Sequence, residues 1–282
     1  MVVFIEDLVT KIYECESVIE AKEMLRKIYF GKAQKSEKIV MDVNTIDVIS
    51  VASGVFNPDS VIKYSNGMAS RYKMNMEDYI DDLVDFIKVN KIDNLNKMMK
   101  MLAKFVIKYF GIFINDNDYR EDFQNNFLMQ IKDDEEYFKT IENFKISDFK
   151  GKGIAQCSEF AALSQNVIAL LGLESYCVFG KYKDVNHDEF HAFNIVKGKN
   201  FYLLVDTAMP HVIYDKNGDF VGAMTNICSL KDFDLEKFLN GEYPIVVPMY
   251  DGVLNKETGE IKSIDLRDGE YFSYSLKNGM KF

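Results

Sequence analysis

Apolar side chains recur at near-helical spacing over residues 4–29, at Leu8, Ile12, Val18, Ile19, Leu25 and Ile28, and predict a helix there. From Lys38 to Val55 the β-branched residues fit a helix or a strand equally, and Asn57-Pro58-Asp59-Ser60 marks a turn. Asn75, followed by the acids Glu77 and Asp78, predicts the N-cap of a helix through Leu83, Phe86 and Ile87. Asp93 starts another, which runs through Leu95, Met98, Leu102, Phe105 and Tyr109 to a stop at Gly111. Residues 118–143 form an acidic, weakly amphipathic helical run, and no internal repeat is visible.

The pattern changes after Gly151-Lys152-Gly153. A helix is predicted from about Gln156 to Leu171, closed by Gly172 at the left-handed position with Leu173 as the apolar contact after it. Strand-like runs follow at Tyr176–Phe179, Phe190–Val196 and Phe201–Val205, the last two joined by a Lys197-Gly198-Lys199-Asn200 turn. A second hairpin is expected from Val212–Tyr214 and Phe220–Val221 around Asn217-Gly218, then a short helix after Ser229 and a strand-rich tail from Tyr243 to Phe282. The chain therefore reads as α+β, with a mainly helical region over 1–145 and a core over 146–282 in which a cysteine-bearing helix packs on an antiparallel sheet.

Composition narrows the partners. The chain has 282 residues and a formal net charge of −10, a balance that repels phosphate backbones and anionic lipid, so no nucleic-acid or membrane partner is expected. The start, MVVFIEDLVTKIYECE, lacks the basic and continuous apolar regions of a signal peptide, and no apolar stretch is long enough to span a bilayer. A cytoplasmic location is the expectation. The cysteines, Cys15, Cys157, Cys177 and Cys228, are widely and irregularly spaced, which argues against a disulfide framework or a zinc ribbon.

Candidate chemistry lies in three segments, GIAQCSEFAALSQNVIALLGLESYCVFG, DEFHAFNIVKG and NFYLLVDTAMP. A thiol nucleophile needs a thiolate, a base beside it and a third group that fixes the base. Cys157 falls at the predicted first turn of a helix, where unpaired N–H groups favour negative charge and offer an oxyanion hole. His191 opens one strand and Asp206 ends the next. Pairing across the Lys197–Asn200 turn sets Val196 opposite Phe201 and so brings Asp206 level with His191, both facing the cysteine helix. Gln156, Phe193 and Asn194 are further candidates for substrate or oxyanion contacts.

Gly153-x-x-x-Cys157-x-x-Phe160-Ala161, an apolar helix with a Leu-Gly stop, then His191-Ala192-Phe193-Asn194 and Leu204-Val205-Asp206-Thr207 resemble the nucleophile, base and acid segments of the transglutaminase-like, papain-related superfamily. The resemblance covers residues 150–210 and implies a papain-like core with a Cys157, His191, Asp206 triad. It implies acyl transfer or amide hydrolysis on a protein or peptide carbonyl, as a cysteine peptidase, deamidase or transglutaminase, with a slight lean to hydrolysis and no cofactor or metal. The family favours Trp at the position of Phe193 and near Phe201-Tyr202, and these swaps keep an aromatic wall. It often carries Arg where this chain has Glu174-Ser175-Tyr176.

Plainer readings compete. A single cysteine in an apolar helix is commonly a small buried hydrophobe, which is the plain reading of Cys157 taken alone; Cys177, between Tyr176 and Val178, is read as strand core, and Cys15 and Cys228, which offer no partner pattern, as structural. Zinc on His187, His191 and Cys157 is disfavoured, because positions four apart on a strand lie too far apart for easy chelation. His187 is read as a solvated loop residue and His211 as part of a turn. The competing function is a catalytically silent transglutaminase-like domain that serves as a protein-binding scaffold; retention of all three triad residues argues against it.

Overall fold

The computed structural model describes residues 7–42, 50–63, 71–73, 79–111, 144–151, 153, 155–183, 188–198, 201–214, 220–230, 233–239, 253–255, 260–265 and 270–275. The expected N-cap Asn75, the run over 118–143, His187 and the Asn217-Gly218 turn lie outside these residues.

The first helical stretch is two helices, α1 (Leu8–Glu14) and α2 (Val18–Ala33). Ser17 interrupts it: its hydroxyl accepts the Glu20 amide at 3.3 Å and starts a new helix with its own phase. The buried stripe of α2 is then Ala21, Leu25 and Tyr29, while Val18 and Ile19, which fitted the single-helix phase, are exposed. Two further helices follow, α3 (Tyr79–Val89) and α4 (Leu95–Phe110). The Asn94 carboxamide caps α4 by accepting the Lys97 amide at 2.9 Å, one residue after the Asp93 predicted from sequence, and Gly111 ends it at φ 72°.

The ambiguous stretch and its surroundings form short strands, β1 (Val40–Asp42), β2 (Ser50–Ser53), β3 (Val61–Lys63) and β4 (Arg71–Lys73). β1, β3 and β4 make a sheet with β5 (Phe144–Lys145), which leads through a 3-10 turn at Ile146–Phe149 toward the cysteine.

The cysteine helix, α5, spans Cys157–Leu170, and thirteen of its fourteen residues are buried. A helix covered on every side needs support on every side. Its C-terminus closes as the Gly172-Leu173 pair predicts: Gly172 has φ 100°, its amide bonds the Ala169 carbonyl at 3.1 Å, and the Leu173 amide reaches the Ile168 carbonyl at 3.2 Å.

The main sheet runs in the order β2, β6 (Ser175–Lys183), β7 (Asp188–Lys197), β8 (Tyr202–Tyr214), β9 (Phe220–Leu230), with every pairing antiparallel. The fold is thus mixed α+β with a five-stranded antiparallel sheet. β8 unites the strand expected at Phe201–Val205 with the one expected at Val212–Tyr214, and β9 pairs with it on both sides of an irregularity between Asp206 and His211. Pro210 lies inside that irregularity, where a missing N–H costs no ladder bond. A short helix, α6 (Leu235–Leu239), follows Ser229 as expected, and the tail carries three antiparallel strands, β10 (Val253–Asn255), β11 (Glu260–Asp265) and β12 (Glu270–Ser275).

One apolar cluster joins residues from α1 through α4 to α5 and to the helix-facing side of the main sheet, from Val9 to Ile227. The helical N-terminal region and the sheet share this core. β2 lies at the sheet edge against β6, and the Lys32 ammonium of α2 donates to the carbonyls of Ala169 and Leu170 at 2.6 and 3.1 Å. A cation on the last carbonyls of a buried helix satisfies groups that the helix itself cannot, although burial lowers the pKa of Lys32.

Candidate active site

The approach to Cys157 is pinned to the N-terminal helices. The Gly151 and Gly153 amides donate to the Tyr109 and Phe110 carbonyls at 3.0 and 2.8 Å, and the Lys150 ammonium pairs with Asp82 at 2.6 Å. Gly151 and Gly153 hold φ of 70° and 69°, a left-handed turn that glycine adopts at little cost. The Phe110 and Phe160 rings stack at 5.4 Å and fix the end of α4 on the first turn of α5.

That first turn is ordered around Glu159, which is 3% exposed. Its Oε2 accepts the Gln156 amide at 2.7 Å and its Oε1 the Ser158 hydroxyl at 2.9 Å. Gln156 is thereby held extended at the N-cap and Cys157 becomes the first helical residue. An amide at that position has no carbonyl partner within the helix, so the Cys157 N–H suits the stabilisation of an oxyanion formed beside its own sulfur. The thiol is partly exposed; Cys177 and Cys228 are buried.

The strands that carry His191 and Asp206 pair in a different register from the one expected. The Gly198 amide donates to the Phe201 carbonyl at 2.8 Å, which closes a two-residue loop, and Val196 pairs with Leu203 instead of Phe201. A tighter loop lets each strand continue one residue further, and a shift of this size moves Asp206 past His191 to the level of Phe193. Because side chains alternate with a period of two, His191 and Asp206 still share a face and meet diagonally. The ladder between β7 and β8 ends at Asn194 and Val205, and the imidazole bridges the two strands just beyond that point.

His191 Nε2 and Asp206 Oδ2 are 2.7 Å apart, with side-chain exposures of 11% and 2%. The other carboxylate oxygen, Oδ1, accepts the amides of Ala208 and Met209 at 2.9 and 3.1 Å, a bend that coincides with the break in the β8–β9 pairing. With Nε2 committed to Asp206, Nδ1 is the ring nitrogen left to face Cys157, which lies near enough to the imidazole to raise its pKa. Burial disfavours the charged ring. The Asp206 carboxylate, through charge and hydrogen bond, and then Cys157 outweigh that effect and hold the His191 pKa well above its ordinary value.

The three remaining sequence candidates lie in different settings. Gln156 is exposed beside the nucleophile. Phe193 is buried, and its ring stacks on the imidazole at a centroid distance of 6.3 Å, so it serves as a wall for the base. Asn194 is buried, and its Nδ2 donates to the Ala161 carbonyl at 3.0 Å and to Gln165 Oε1 at 3.3 Å, which ties β7 to the middle of α5. It faces the body of the helix, on the opposite side of β7 from His191, whose ring lies on the Phe193 face. The expectation that His191 and Asp206 both face the cysteine helix is thereby corrected, because the alternation that turns Asn194 toward α5 turns them to the other side.

Asn194 belongs to a polar layer beneath α5 that sequence reasoning missed. Gln165 Nε2 donates to the Gly54 and Ser175 carbonyls and to the Ser175 hydroxyl at 3.0, 3.1 and 2.9 Å, and Asn166 Oδ1 accepts the Phe56 amide at 2.8 Å. Ser164 and Thr207 meet hydroxyl to hydroxyl at 2.8 Å. The signal was the run Ser164-Gln165-Asn166 inside an otherwise apolar helix, since buried polar groups require partners.

Among the described residues, no three His, Cys, Asp or Glu side chains group as metal ligands would, and no helix is long and apolar enough to cross a membrane. A partly exposed thiol at a helix tip, an imidazole against it and a buried carboxylate behind the imidazole form a chain that can take a proton from sulfur and return it to a leaving group. No family model, curated protein or solved structure matches the chain.

Proposed function

We propose that the chain performs thiol-dependent acyl chemistry on a protein or peptide carbonyl through Cys157, His191 and Asp206, in the manner of the transglutaminase-like, papain-related enzymes. The observation that carries this reading is the 2.7 Å contact between His191 Nε2 and the buried Asp206 carboxylate, with Cys157 at the tip of α5 near enough to the ring to help raise its pKa. Three buried or half-buried polar groups from separate elements are not needed for packing in this order, and the order thiol, imidazole, carboxylate is the one that catalysis requires.

His191 takes the thiol proton, and the thiolate attacks the carbonyl carbon to give a tetrahedral oxyanion beside the Cys157 amide. The imidazolium then protonates the departing amine, which leaves a thioester on Cys157. Water, or an amine, attacks the thioester with His191 as base, and the sulfur leaves as thiolate. Asp206 holds the ring orientation and favours its charged form. Hydrolysis is the preferred outcome, as a peptidase or deamidase.

Wild-type chain and Cys157→Ala, incubated with a peptide library or cell extract and read by mass spectrometry for cleaved, deamidated or crosslinked products, test the proposal. Loss of all products in the variant is expected, and equal products from both proteins would end it. Iodoacetamide labelling at about pH 6 separates the scaffold reading: an active pair labels Cys157 far ahead of the other cysteines, whereas slow, even labelling favours a silent domain.

A further inference from the structure

Asp206 and Thr207 are consecutive on β8, and their side chains leave the strand on opposite sides. Asp206 meets His191. Thr207, 2% exposed, meets α5, where its Oγ1 lies 2.8 Å from Ser164 Oγ and 3.5 Å from the Phe160 carbonyl oxygen. The Phe160 amide in turn donates to the Gln156 carbonyl at 3.0 Å, which closes the turn that carries Cys157. A single hydroxyl contact therefore links the residue beside the orienting carboxylate to the turn of the nucleophile, by a route that does not pass through His191.

Ser164 is 0% exposed, so both hydroxyls are sealed from water. Such a pair adds little net stability, because each group gives up hydration to make the bond, and valine with alanine would fill the same space. What hydroxyls supply, and methyl groups do not, is a fixed direction and distance between helix and strand. The contacts of Asn194 and Gln165 hold α5 to β7, β6 and the chain at Gly54; Thr207 holds it to the strand that bears Asp206.

Resting on the triad reading, we propose that Thr207, through Ser164 and the Phe160 carbonyl, is a positioning residue that sets the tip of α5, and with it the Cys157 sulfur, against the His191–Asp206 pair. Thr207 acts on the reaction through this placement and does not touch the reacting atoms.

The test is iodoacetamide labelling of the full chain, followed at Cys157 by mass spectrometry across a pH series, with the urea unfolding midpoint measured beside it. Thr207→Val/Ser164→Ala removes both hydroxyls and is expected to keep a near wild-type midpoint, because both partners become apolar together. Its Cys157 labelling slows on the order of tenfold at about pH 6, and the pH profile shifts. Thr207→Ser keeps the hydroxyl and retains the wild-type rate and profile. Should the double variant fail to fold, Thr207→Val alone carries the same expectation. A wild-type rate and profile in folded Thr207→Val overturns the proposal, as does a Thr207→Ser variant that slows equally. A wild-type chain whose Cys157 labels no faster than Cys15 is a separate result, which removes the triad reading and this inference together.

Discussion

His191 and Asp206 come within 2.7 Å of each other just past the point where the backbone ladder between their strands has ended. Among the described residues the β7–β8 pairs run from Lys197 and Tyr202 to Asn194 and Val205, so His191 and Asp206 lie outside the paired stretch. Their alignment depends on the side-chain bond itself, on the two amides that fix Asp206 Oδ1, and on the Phe193 ring against the imidazole. The carboxylate is thus both an electrostatic partner and a structural stop for the ring.

Asp206→Asn should keep much of this geometry but present an amide to Nε2. The ring then loses its charge partner and the carboxylate that fixes its orientation. Turnover is expected to fall by roughly a thousandfold or more, with a smaller effect on substrate affinity. Steady-state kinetics on the substrate found by profiling check it, and a change in KM alone would contradict it.

The raised pKa of His191 has a consequence for folding. In the folded chain the imidazolium is favoured by Asp206 and Cys157 despite burial, whereas the unfolded ring titrates near the ordinary histidine value of 6.5. Between that value and the higher folded one, the folded state binds the extra proton, so this contribution to stability is full below 6.5 and fades as pH rises through the folded value. Urea midpoints should therefore decline on the alkaline side more steeply for wild type than for Asp206→Asn. Parallel slopes would contradict the assignment.

Cys177 provides the internal control for labelling. Burial, and then the nearby charge of Cys157, push its thiol well above the ordinary cysteine range. In the native chain it should resist iodoacetamide under conditions that alkylate Cys157, and react once the chain is denatured. Native labelling of Cys177 at the Cys157 rate would show the sheet–helix interface to be open.

Gly111 and Gly151 meet backbone to backbone. A Cβ at Gly111 would lie 2.7 Å from the Gly151 carbonyl carbon, and Gly111 sits at φ 72°. Gly111→Ala combines a disfavoured backbone with a contact that no side-chain rotation relieves, and it should cost about 2 kcal/mol or more. Since Gly151 lies on the approach to Cys157, labelling of Cys157 should change along with the unfolding midpoint. An unchanged midpoint would contradict the close approach.

The parts legible in the sequence were those set by local chemistry. Gly172-Leu173 announced the end of α5, the alternation around His191 and Asp206 announced strands, and the parity of those strands survived a register error of two residues. Long-range choices were not legible. Nothing local in Ser50–Ser53 says that it joins β6, and Pro210 argued for a break where β8 continues on the far side of an irregularity. Ser17 was overlooked as a cap because the apolar spacing across it looked unbroken. The polar layer under α5 was hidden for a related reason: its partners, Ser175, Asn194 and Thr207, come from three different strands.

Lys32 gives the N-terminal helices a part in the site that distance along the chain conceals. Its ammonium closes the far end of the same helix whose near end bears the sulfur, and β2 supplies the sheet's outer rail. Clipping away those segments would leave the cysteine helix open-ended inside its own core.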